Sequence, residues 1–232
     1  MKYSIIIPVY NEEKRGTTFI ENLIKFAKKE LKDYEIIAVN DGSKDKTLEL
    51  LSQLKKEIRI ISYSPNHGKG FAVKTGMLAA KGDKIAFIDG DGAFPPEELL
   101  KIFSSLDSND VVLGTKRSKE TIRVTKEPLI RKITSFGFNS FVRMLFHEKI
   151  WDALCGLKGF RNSAAKYLAS NLISERWIFD VELIIRAYRK KYSVKIVPVK
   201  LFSVEGSKFK ITDPIKMIFQ LIRLKYLMDF KK

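Results

Sequence analysis

Residues 84–92, KIAFIDGDG, decide the fold of this chain, because they join an apolar run to two aspartates set among glycines. The run has the composition of a short buried strand, and the glycines end it. A carboxylate left half-buried at the end of such a strand is costly unless a cation or a hydrogen-bond donor accompanies it. Asp89 and Asp91 therefore predict a binding site at the end of this strand.

Three segments before this one show the same order of apolar run, polar end and helix. The apolar runs are YSIIIPVYN (3–11), EIIAVNDGS (35–43) and IRIISYS (58–64). A helical pattern through Phe19 and Ala27 follows the first run. A helix with a cap near Ser43 or Asp45 follows the second run, and a helix over 70–82 follows the third. A further short strand is predicted at 111–114. Strands that alternate with helices predict a parallel sheet covered by helices on both faces.

Polar residues and glycines follow the predicted strands where each one ends. The four stretches are 8–12 (PVYNE), 40–43 (NDGS), 66–69 (NHGK) and 89–91 (DGD). Open α/β sheets bind their ligands at the carboxyl ends of the strands, which lie at one edge. We therefore expect a nucleotide to lie across these four stretches.

The Asp-x-Asp pattern of Asp89 and Asp91 suits a hard divalent cation, Mg²⁺ or Mn²⁺, because such cations prefer oxygen ligands and Gly90 lets a ligand approach the backbone. A cation bound there would bridge diphosphate oxygens and stabilise a departing nucleotide. Taken alone, the same pattern is also typical of an ordinary turn.

Two other strand ends offer groups for a nucleotide. Asp41 can accept hydrogen bonds from a ribose or a base edge, although it can equally cap the next helix. NHGKG (66–70) offers backbone N–H groups and Lys69 just before a helix, an arrangement that suits phosphate. It is not a P-loop, since the spacing GxxxxGK[ST] is absent.

The net charge of +16 lies in two segments. Residues 114–150 carry an excess of six positive charges and residues 186–232 an excess of ten, whereas the rest is balanced. Such segments can meet nucleic acid, an anionic membrane or a phosphorylated ligand, or simply form a solvated surface. The helices predicted at 128–147 and 213–232 mix these basic residues with large apolar ones, so each either lies on a membrane or packs in the core.

Length and composition indicate one large intracellular domain of 232 residues. The single cysteine, Cys155, excludes an intrachain disulfide and is typical of a small buried apolar residue, and Met1 leads straight into a strand rather than a signal peptide. The longest uncharged stretch is ten residues (133–142), far below the roughly 18–20 that a membrane span needs. His67 and His147 do not suggest a metal pair.

Seven motifs together identify a resemblance that covers nearly the whole chain. They are SIIIPVYNEE, VNDGSKDKT, NHGKGFAVKTGM, IDGDGAFPPEEL, CGLKGF, ERWIFDVEL and VEGSK. In this order they resemble family 2 glycosyltransferases of the polyprenyl-phosphate sugar synthase type, in particular the dolichyl-phosphate β-glucosyltransferases. The resemblance implies the GT-A fold, a Rossmann-like nucleotide-binding sheet with helices on both faces, to which amphipathic basic helices are added.

The resemblance also implies a role for each matching residue. The nucleotide and its phosphates would be held by Pro8, Tyr10, Glu12, Asp41, Gly68, Lys69, Gly90 and Lys208. Asp89 and Asp91 would hold Mg²⁺ or Mn²⁺ with the sugar diphosphate. The lipid phosphate would meet Arg117, Arg131 and Ser135. The sugar and acceptor would be covered by Glu175, Arg176, Trp177 and Asp180.

One position bears on which sugar is transferred. The mannose synthases have DADLQ where this chain has DGDGA, so Ala93 stands in place of a glutamine that helps to bind the metal. The glucosyl relatives have DADGAT, which this chain follows more closely. The resemblance therefore favours glucose over mannose, and mannose or an N-acetylhexosamine is the alternative sugar.

The implied reaction is an inverting transfer of a hexose, glucose in particular, from a UDP-sugar to dolichyl or another polyprenyl phosphate. The lipid phosphate is already an anionic nucleophile at neutral pH, so Asp180 is expected to orient the sugar or stabilise positive charge rather than remove a proton. A structural role at a helix end is the alternative for Asp180.

Two competing functions remain at this point. A family 2 transferase that acts on a polysaccharide or protein would share most of these motifs. A nucleic-acid-binding protein would explain the charge, but the basic segments carry aliphatic residues rather than an aromatic stacking platform, so we expect no nucleic acid partner.

The sequence also suggests an organisation and a location. We expect a glycosyltransferase domain at 1–212, made of a nucleotide-binding part (1–113), a basic acceptor and membrane segment (114–150) and an acceptor and sugar part (151–212), followed by a basic helix at 213–232. The enzyme is expected to sit peripherally on the cytoplasmic face of a membrane, on an anionic surface and without a transmembrane segment. Assembly into a homo-oligomer is left open.

Overall fold

The chain folds around one mixed β-sheet with helices on both faces. This computed structural model describes residues 1–116, 129–148, 152, 154–202 and 213–230, with side chains except at 129–136, 213–215 and 230. The strands are β1 (Tyr3–Val9), β2 (Tyr34–Asp41), β3 (Arg59–Tyr63), β4 (Lys84–Ile88), β5 (Val111–Thr115), β6 (Leu157–Arg161) and β7 (Val194–Pro198). The helices are α1 (Gly16–Glu30), α2 (Thr47–Gln53), α3 (Lys69–Ala79), α4 (Glu98–Ser105), α5 (Leu129–Phe146), α6 (Asn162–Asn171), α7 (Phe179–Arg189) and α8 (Asp213–Phe230).

The strand order is β3-β2-β1-β4-β6-β5-β7. The pairs among β1, β2, β3 and β4 are parallel, and so is β5 with β7. In contrast, β6 runs antiparallel to both of its neighbours, β4 and β5. The prediction of a wholly parallel sheet is therefore wrong at one strand, although the α/β class with helices on both faces is confirmed. Because β6 is reversed, its first residues lie at the same edge as the carboxyl end of β4.

The central strands are buried on both faces because their apolar residues are continuous rather than alternating with polar ones. In β1, Ile6 points into a core shared with α3, α6 and α7, whereas Ile5 and Ile7 point into a core shared with α1 and α4. In β4, Phe87 and Ile88 divide between the same two cores. These two cores fix the sheet as the middle layer and hold its edge in place.

The predicted elements of the first half agree with the structure to within a few residues. Helix α3 ends at Ala79, earlier than the predicted Gly82, and α2 begins at Thr47, where the Thr47 amide donates to Asp45 Oδ1 at 3.0 Å. Asp41 does not cap α2. No strand was predicted at β6 or β7 and no helix at α4, α6 or α7.

Both basic helices contribute to the core. Val142 and Phe146 of α5, and Met217 and Leu221 of α8, are buried in the core on the α3 side of the sheet. The outer face of α8 is different, since Phe219 is 68% exposed. Core packing is thus confirmed for both helices, and contact of the exposed face of α8 with a membrane stays a prediction.

None of the helices in the described part of the chain is long and apolar enough to cross a bilayer.

Candidate functional site

The predicted carboxylates lie at the edge formed by the carboxyl ends of β1, β2 and β4. Asp89 follows β4 directly, and its backbone N–H donates to the carbonyl of Gly156 at 3.0 Å. Gly156 precedes β6, so the antiparallel strand brings a second segment of chain against the aspartate. The edge is therefore built from four strands rather than three.

The Asp89 carboxylate lies flat against Gly156. A Cβ atom added to Gly156 would stand 2.0 Å from Asp89 Oδ2, so only glycine leaves room for the carboxylate here. Lys69 is the cation beside it: Lys69 Nζ lies 2.6 Å from Asp89 Oδ1, and the side chains are 25% and 23% exposed. This is a close charge-assisted contact, and the Lys69 ammonium is the partner that the described residues offer to Asp89 Oδ1.

Lys69 stays charged although it is half-buried. Burial lowers its pKa, but the carboxylates of Asp89 and Asp180 more than offset this, and the pKa of Lys69 is raised. The ammonium also lies 5.7 Å from the centre of the Phe179 ring, within the range of a cation–π contact. A permanent positive charge therefore faces the first aspartate.

Asp91 lies two residues further on and is half-buried, and its Oδ1 accepts a hydrogen bond from the Ala93 amide at 3.0 Å. Burial and the nearby Asp89 charge raise the pKa of Asp91. Arg15 opposes this rise, and Arg15 Nε also lies 2.7 Å from Glu12 Oε2. Glu12 is 8% exposed, so this predicted pocket residue holds the guanidinium beside the second aspartate.

Asp41 anchors the loop that precedes α3. Its two carboxylate oxygens accept hydrogen bonds from Asn66 Nδ2 at 2.6 Å, from the His67 amide at 2.8 Å and from the Gly68 amide at 2.9 Å. With only 3% of its surface exposed, Asp41 fixes the direction in which α3 begins. Its predicted contact with a ribose or base stays a prediction.

Close packing of two loops places Lys69 in front of α7. Gly68 has a φ of +107°, and a Cβ there would stand 2.7 Å from the carbonyl oxygen of Glu175. At Gly70 a Cβ would stand 2.6 Å from Phe179 Cβ. The Phe71 amide donates to the Glu175 carbonyl at 3.0 Å, which ties the two loops together.

Asp180 is buried in the first turn of α7 and pairs with a buried lysine. Lys158 Nζ lies 2.6 Å from Asp180 Oδ1 and donates to the Cys155 carbonyl at 2.5 Å. Lys158 is 0% exposed and Asp180 4% exposed. Burial raises the pKa of Asp180, and the lysines Lys158 and Lys69 oppose the rise. The Asp180 carboxylate is therefore oriented by Lys158 and is also influenced by the charge of Lys69.

Glu182, two residues after Asp180 in α7, supports the loop that precedes this helix. Its carboxylate accepts the amides of Ile173 at 3.0 Å and Ser174 at 2.7 Å and lies 2.7 Å from Arg186 Nε. Because Glu182 is fully buried, these bonds define the loop that leads into α7.

The two aspartates fit a divalent cation of the Mg²⁺ type. Asp89 Oδ1 is a buried oxygen whose partner among the described residues is a mobile ammonium, that of Lys69, and Asp91 lies close enough for the Asp89 charge to raise its pKa. Among the described residues no group of three His, Cys, Asp or Glu side chains could hold a metal. Mg²⁺ is usually held by one or two carboxylates together with phosphate oxygens and water, so the pair suffices when a diphosphate is bound.

The remaining predicted residues fall into two groups. Pro8 and Tyr10 lie partly buried at the end of β1, Glu175 and Arg176 are exposed in the loop before α7, and Trp177 is partly buried in the core. Arg117 and Lys208 lie outside the described residues, and so do the side chains of Arg131 and Ser135 in α5. Cys155 is fully buried, and burial raises the pKa of its thiol to about 12, as expected for a small core residue.

Three residues of this edge were missed by the sequence analysis. Arg15 is one charged residue among several at the start of α1, and Gly156 and Lys158 lie in CGLKGF without a strand prediction. A lysine within an otherwise apolar segment is the signal that could have found Lys158, because a buried lysine requires a partner. The identity of that partner depends on the fold.

The chain matches the family model described as Glycosyl transferase family 2 over residues 4–168. It is 34% identical to the dolichyl-phosphate beta-glucosyltransferase of Dictyostelium discoideum, covering 99% of this chain and 76% of the relative. It is likewise 34% identical to the Saccharomyces cerevisiae protein of that name, covering 97% of this chain and 75% of the relative. It is 33% identical to the human protein of that name, covering 88% of this chain and 68% of the relative.

Solved structures with the same fold include a glucosyl-3-phosphoglycerate synthase from Mycobacterium tuberculosis. Its TM-score is 0.73 at 19% sequence identity, covering 98% of this chain and 80% of that one. A complex of that enzyme with Mn²⁺, UDP-glucose and phosphoglyceric acid has a TM-score of 0.73 at 18% identity, covering 98% and 79%. These likenesses confirm the predicted GT-A sheet.

Proposed function

Because this chain belongs to glycosyltransferase family 2, we propose that it transfers glucose from UDP-glucose to dolichyl phosphate or a related polyprenyl phosphate. The observation that carries the proposal is the pair Asp89 and Asp91 at the polar edge of the sheet, with Lys69 Nζ at 2.6 Å from the first. The relatives that share about a third of its residues over most of their length support the choice of glucose and of a lipid phosphate.

The donor side of the reaction follows from the charges at this edge. Asp89 and Asp91 would hold Mg²⁺ or Mn²⁺, which neutralises charge on the departing UDP when it is bound. Lys69 and the N-terminus of α3 add positive potential on the same side. Arg15, held by Glu12, adds a positive charge whose effect reaches the second aspartate.

The acceptor needs positioning rather than a strong base. A lipid phosphate is an anionic nucleophile at pH 7, because its second pKa is near 6. One of its oxygens forms a bond to the anomeric carbon as the bond from that carbon to the UDP oxygen breaks, so an α-linked donor gives a β-linked product. Asp180, which pairs with Lys158, is proposed to stabilise positive charge on the sugar in this step.

The residues that would bind the phosphate groups of acceptor and donor remain predictions. Arg117, Arg131 and Ser135 are proposed to hold the lipid phosphate, and Lys208 is proposed to reach the donor's phosphates. Each would neutralise one of the two anionic reactants that must approach each other.

The reaction is tested by incubating purified protein with labelled UDP-glucose, Mn²⁺ and dolichyl phosphate. We expect label in the organic phase as a mild-acid-labile lipid, and loss of at least 99% of it in Asp91→Asn, roughly the 10²-fold or greater effect of removing a stabilising charge. The control is Asp107→Asn, which changes an exposed aspartate that pairs with Lys84 away from the edge.

The outcomes separate the alternatives. Label that moves to a soluble glycan or protein would replace the lipid acceptor by the other acceptor class. Transfer from GDP-mannose in place of UDP-glucose would reject the sugar. Full activity of Asp91→Asn would reject the role of the aspartate pair.

The outer face of α8 supports a peripheral contact with an anionic membrane. Ile218, Phe219, Ile222 and Tyr226 form one exposed stripe, with exposures of 38%, 68%, 49% and 59%. Lys216 and Arg223 are exposed along its side. An apolar stripe flanked by basic residues suits the headgroup region, where each basic residue contributes about 1 kcal/mol. The cytoplasmic face and a homo-oligomer stay predictions.

Flotation with lipid vesicles tests this contact. The protein is expected to float with vesicles that contain phosphatidylserine, less with phosphatidylcholine alone, and less in Phe219→Glu. Leu100→Glu on α4 is the matched control, since Leu100 is an exposed apolar residue at another face. Equal flotation of wild type and Phe219→Glu would show that the stripe does not meet the membrane.

A further inference from the structure

Lys69 occupies the position from which a divalent cation would reach Asp89. Its ammonium nitrogen lies 2.6 Å from Asp89 Oδ1 and is the partner of this oxygen among the described residues. A bound Mg²⁺ would stand about 2.1 Å from a carboxylate oxygen. The ammonium and the metal would therefore compete for one oxygen and repel each other at close range.

Of the two partners, the lysine is the one that can move. Asp89 is fixed by the hydrogen bond from its backbone amide to the Gly156 carbonyl, and by the packing of its carboxylate against Gly156, which leaves no room for a Cβ there. The backbone of Lys69 is also fixed, because Gly68 and Gly70 pack against the loop before α7. The four-carbon side chain, 25% exposed and with several rotatable bonds, remains adjustable.

A new anionic partner for the lysine is available on the donor side. Lys69 is the first residue of α3, so its ammonium lies at the end of this helix of eleven residues where the helix dipole is positive. A diphosphate bound to a metal at the aspartates would bring negative charge within reach of the ammonium. The lysine would then exchange a carboxylate for a phosphate.

We propose that Lys69 is a stand-in cation, which neutralises Asp89 until Mn²⁺ or Mg²⁺ binds and then turns to the donor's diphosphate. The inference rests on the proposed function, because it takes a nucleoside diphosphate as the ligand. Its consequence is that Lys69 opposes binding of metal alone and favours binding of metal and nucleotide together. Lys69 thereby couples the two binding events.

The coupling is measured with Mn²⁺ and UDP as probes, without turnover. Free Mn²⁺ is titrated by electron paramagnetic resonance against wild type and Lys69→Met, each with and without UDP. We expect Lys69→Met to bind Mn²⁺ alone about fivefold tighter or more, the lower end of typical coupling between sites. We also expect the gain in Mn²⁺ affinity that UDP confers to shrink in this variant.

Lys101→Met is the matched control, because Lys101 also pairs with a carboxylate, at 2.8 Å from Glu98 Oε2, but lies on α4. Its Mn²⁺ affinity is expected to equal that of wild type. If wild type binds Mn²⁺ and UDP but Lys69→Met binds Mn²⁺ alone no tighter, the stand-in role is wrong and the proposed function stands. If wild type binds neither probe, the proposed function fails as well.

A second measurement uses wild-type protein and does not depend on a variant that folds. The rate of reductive methylation of Lys69, read by mass spectrometry and normalised to Lys101, is expected to rise with Mn²⁺ alone and to fall when UDP is added. Equal rates in the three conditions would overturn the inference.

Discussion

Single residues at the edge of the sheet decide how the first aspartate is presented. Gly156 is the clearest case, because its missing Cβ leaves the space in which the Asp89 carboxylate lies. The same residue fixes the Asp89 amide through its carbonyl. One glycine therefore sets both the backbone and the side chain of a predicted metal ligand.

Replacing Gly156 by alanine should weaken metal binding. The new Cβ would stand 2.0 Å from Asp89 Oδ2, so the carboxylate must shift. We expect the affinity for Mn²⁺ in the presence of UDP to fall about 10–100-fold, the range seen when the support of a ligand is disturbed. Isothermal titration calorimetry measures it.

Gly137→Ala serves as the control for that variant, since a Cβ at Gly137 meets nothing within 4 Å. Gly137 lies within α5, so the control should keep its Mn²⁺ affinity and gain about 0.5–1 kcal/mol of stability. Unchanged Mn²⁺ binding in Gly156→Ala would contradict the role given to the glycine.

The buried pair of Lys158 and Asp180 makes a second prediction at this scale. Lys158→Met leaves Asp180 buried without its cation and should lower the free energy of unfolding by about 3–5 kcal/mol. The double variant Lys158→Met/Asp180→Asn removes both charges and should recover most of this loss. Urea denaturation measures both values.

Activity distinguishes the pair's support of the fold from its role in the reaction. The double variant should remain inactive although it is stable, because it lacks the carboxylate that we propose acts on the sugar. A double variant as unstable as Lys158→Met, or one that regains transfer, would show that the pair does not act as described.

At the scale of secondary-structure elements, β5 and β7 are joined at their first residues by one carboxylate. Asp110 Oδ2 accepts the Ser193 amide at 2.9 Å and the Ser193 hydroxyl at 2.7 Å. These hydrogen bonds lower the pKa of Asp110, and the bond from the Ser193 backbone amide has the larger effect. The bonds close the edge of the sheet where the two strands begin to pair at Val111 and Val194.

The lowered pKa gives the pH dependence of this contact. The folded state prefers the ionised carboxylate, so its contribution is complete above the ordinary aspartate pKa and is lost as the pH falls through the lower folded value. Asp110→Ala should therefore lower the free energy of unfolding by about 1 kcal/mol at pH 7, and this difference should vanish in acid.

Urea denaturation at a series of pH values checks this prediction. Asp83→Ala is the control, since the Asp83 side chain is exposed and is expected to leave stability unchanged at every pH. A destabilisation by Asp110→Ala that stays constant down to the lowest pH would argue against the ionised hydrogen bonds.

The same scale shows where pattern reading succeeds and fails. Strands β1, β2 and β4 were predicted because each is a nearly continuous apolar run with a polar end, and β3 because isoleucines and a tyrosine dominate its short run. Strand β6 was missed because LKGFR combines a lysine, a glycine and an arginine in five residues. Lys158 is tolerated there only because Asp180, on another element, meets it.

For the whole molecule, the proposed ligands should stabilise the folded state by mass action. Mn²⁺ and UDP together at about 100 times their Kd should add about 2.7 kcal/mol, which raises the Tm by roughly 5–10 °C for a chain of this size. Removal of the metal with EDTA should cancel the increase. Thermal unfolding followed by circular dichroism measures both.

Asp91→Asn provides the comparison, because it should unfold normally yet show no shift with the two ligands. A shift of equal size in Asp91→Asn, or one that survives EDTA, would show that UDP binds without the metal at the aspartates.

The sequence by itself determined strands β1 to β5, helices α1 to α3 and the polar ends of the first four strands, because apolar runs, caps and glycine turns are read within a few neighbouring residues, whereas α4 was not predicted. It also placed the two aspartates at the end of β4. Only the tertiary structure decided what surrounds them. Lys69 lies twenty positions before Asp89, and Gly156 and Lys158 reach the edge through an antiparallel strand. Such contacts depend on how distant segments pack, and no local pattern of residues specifies that.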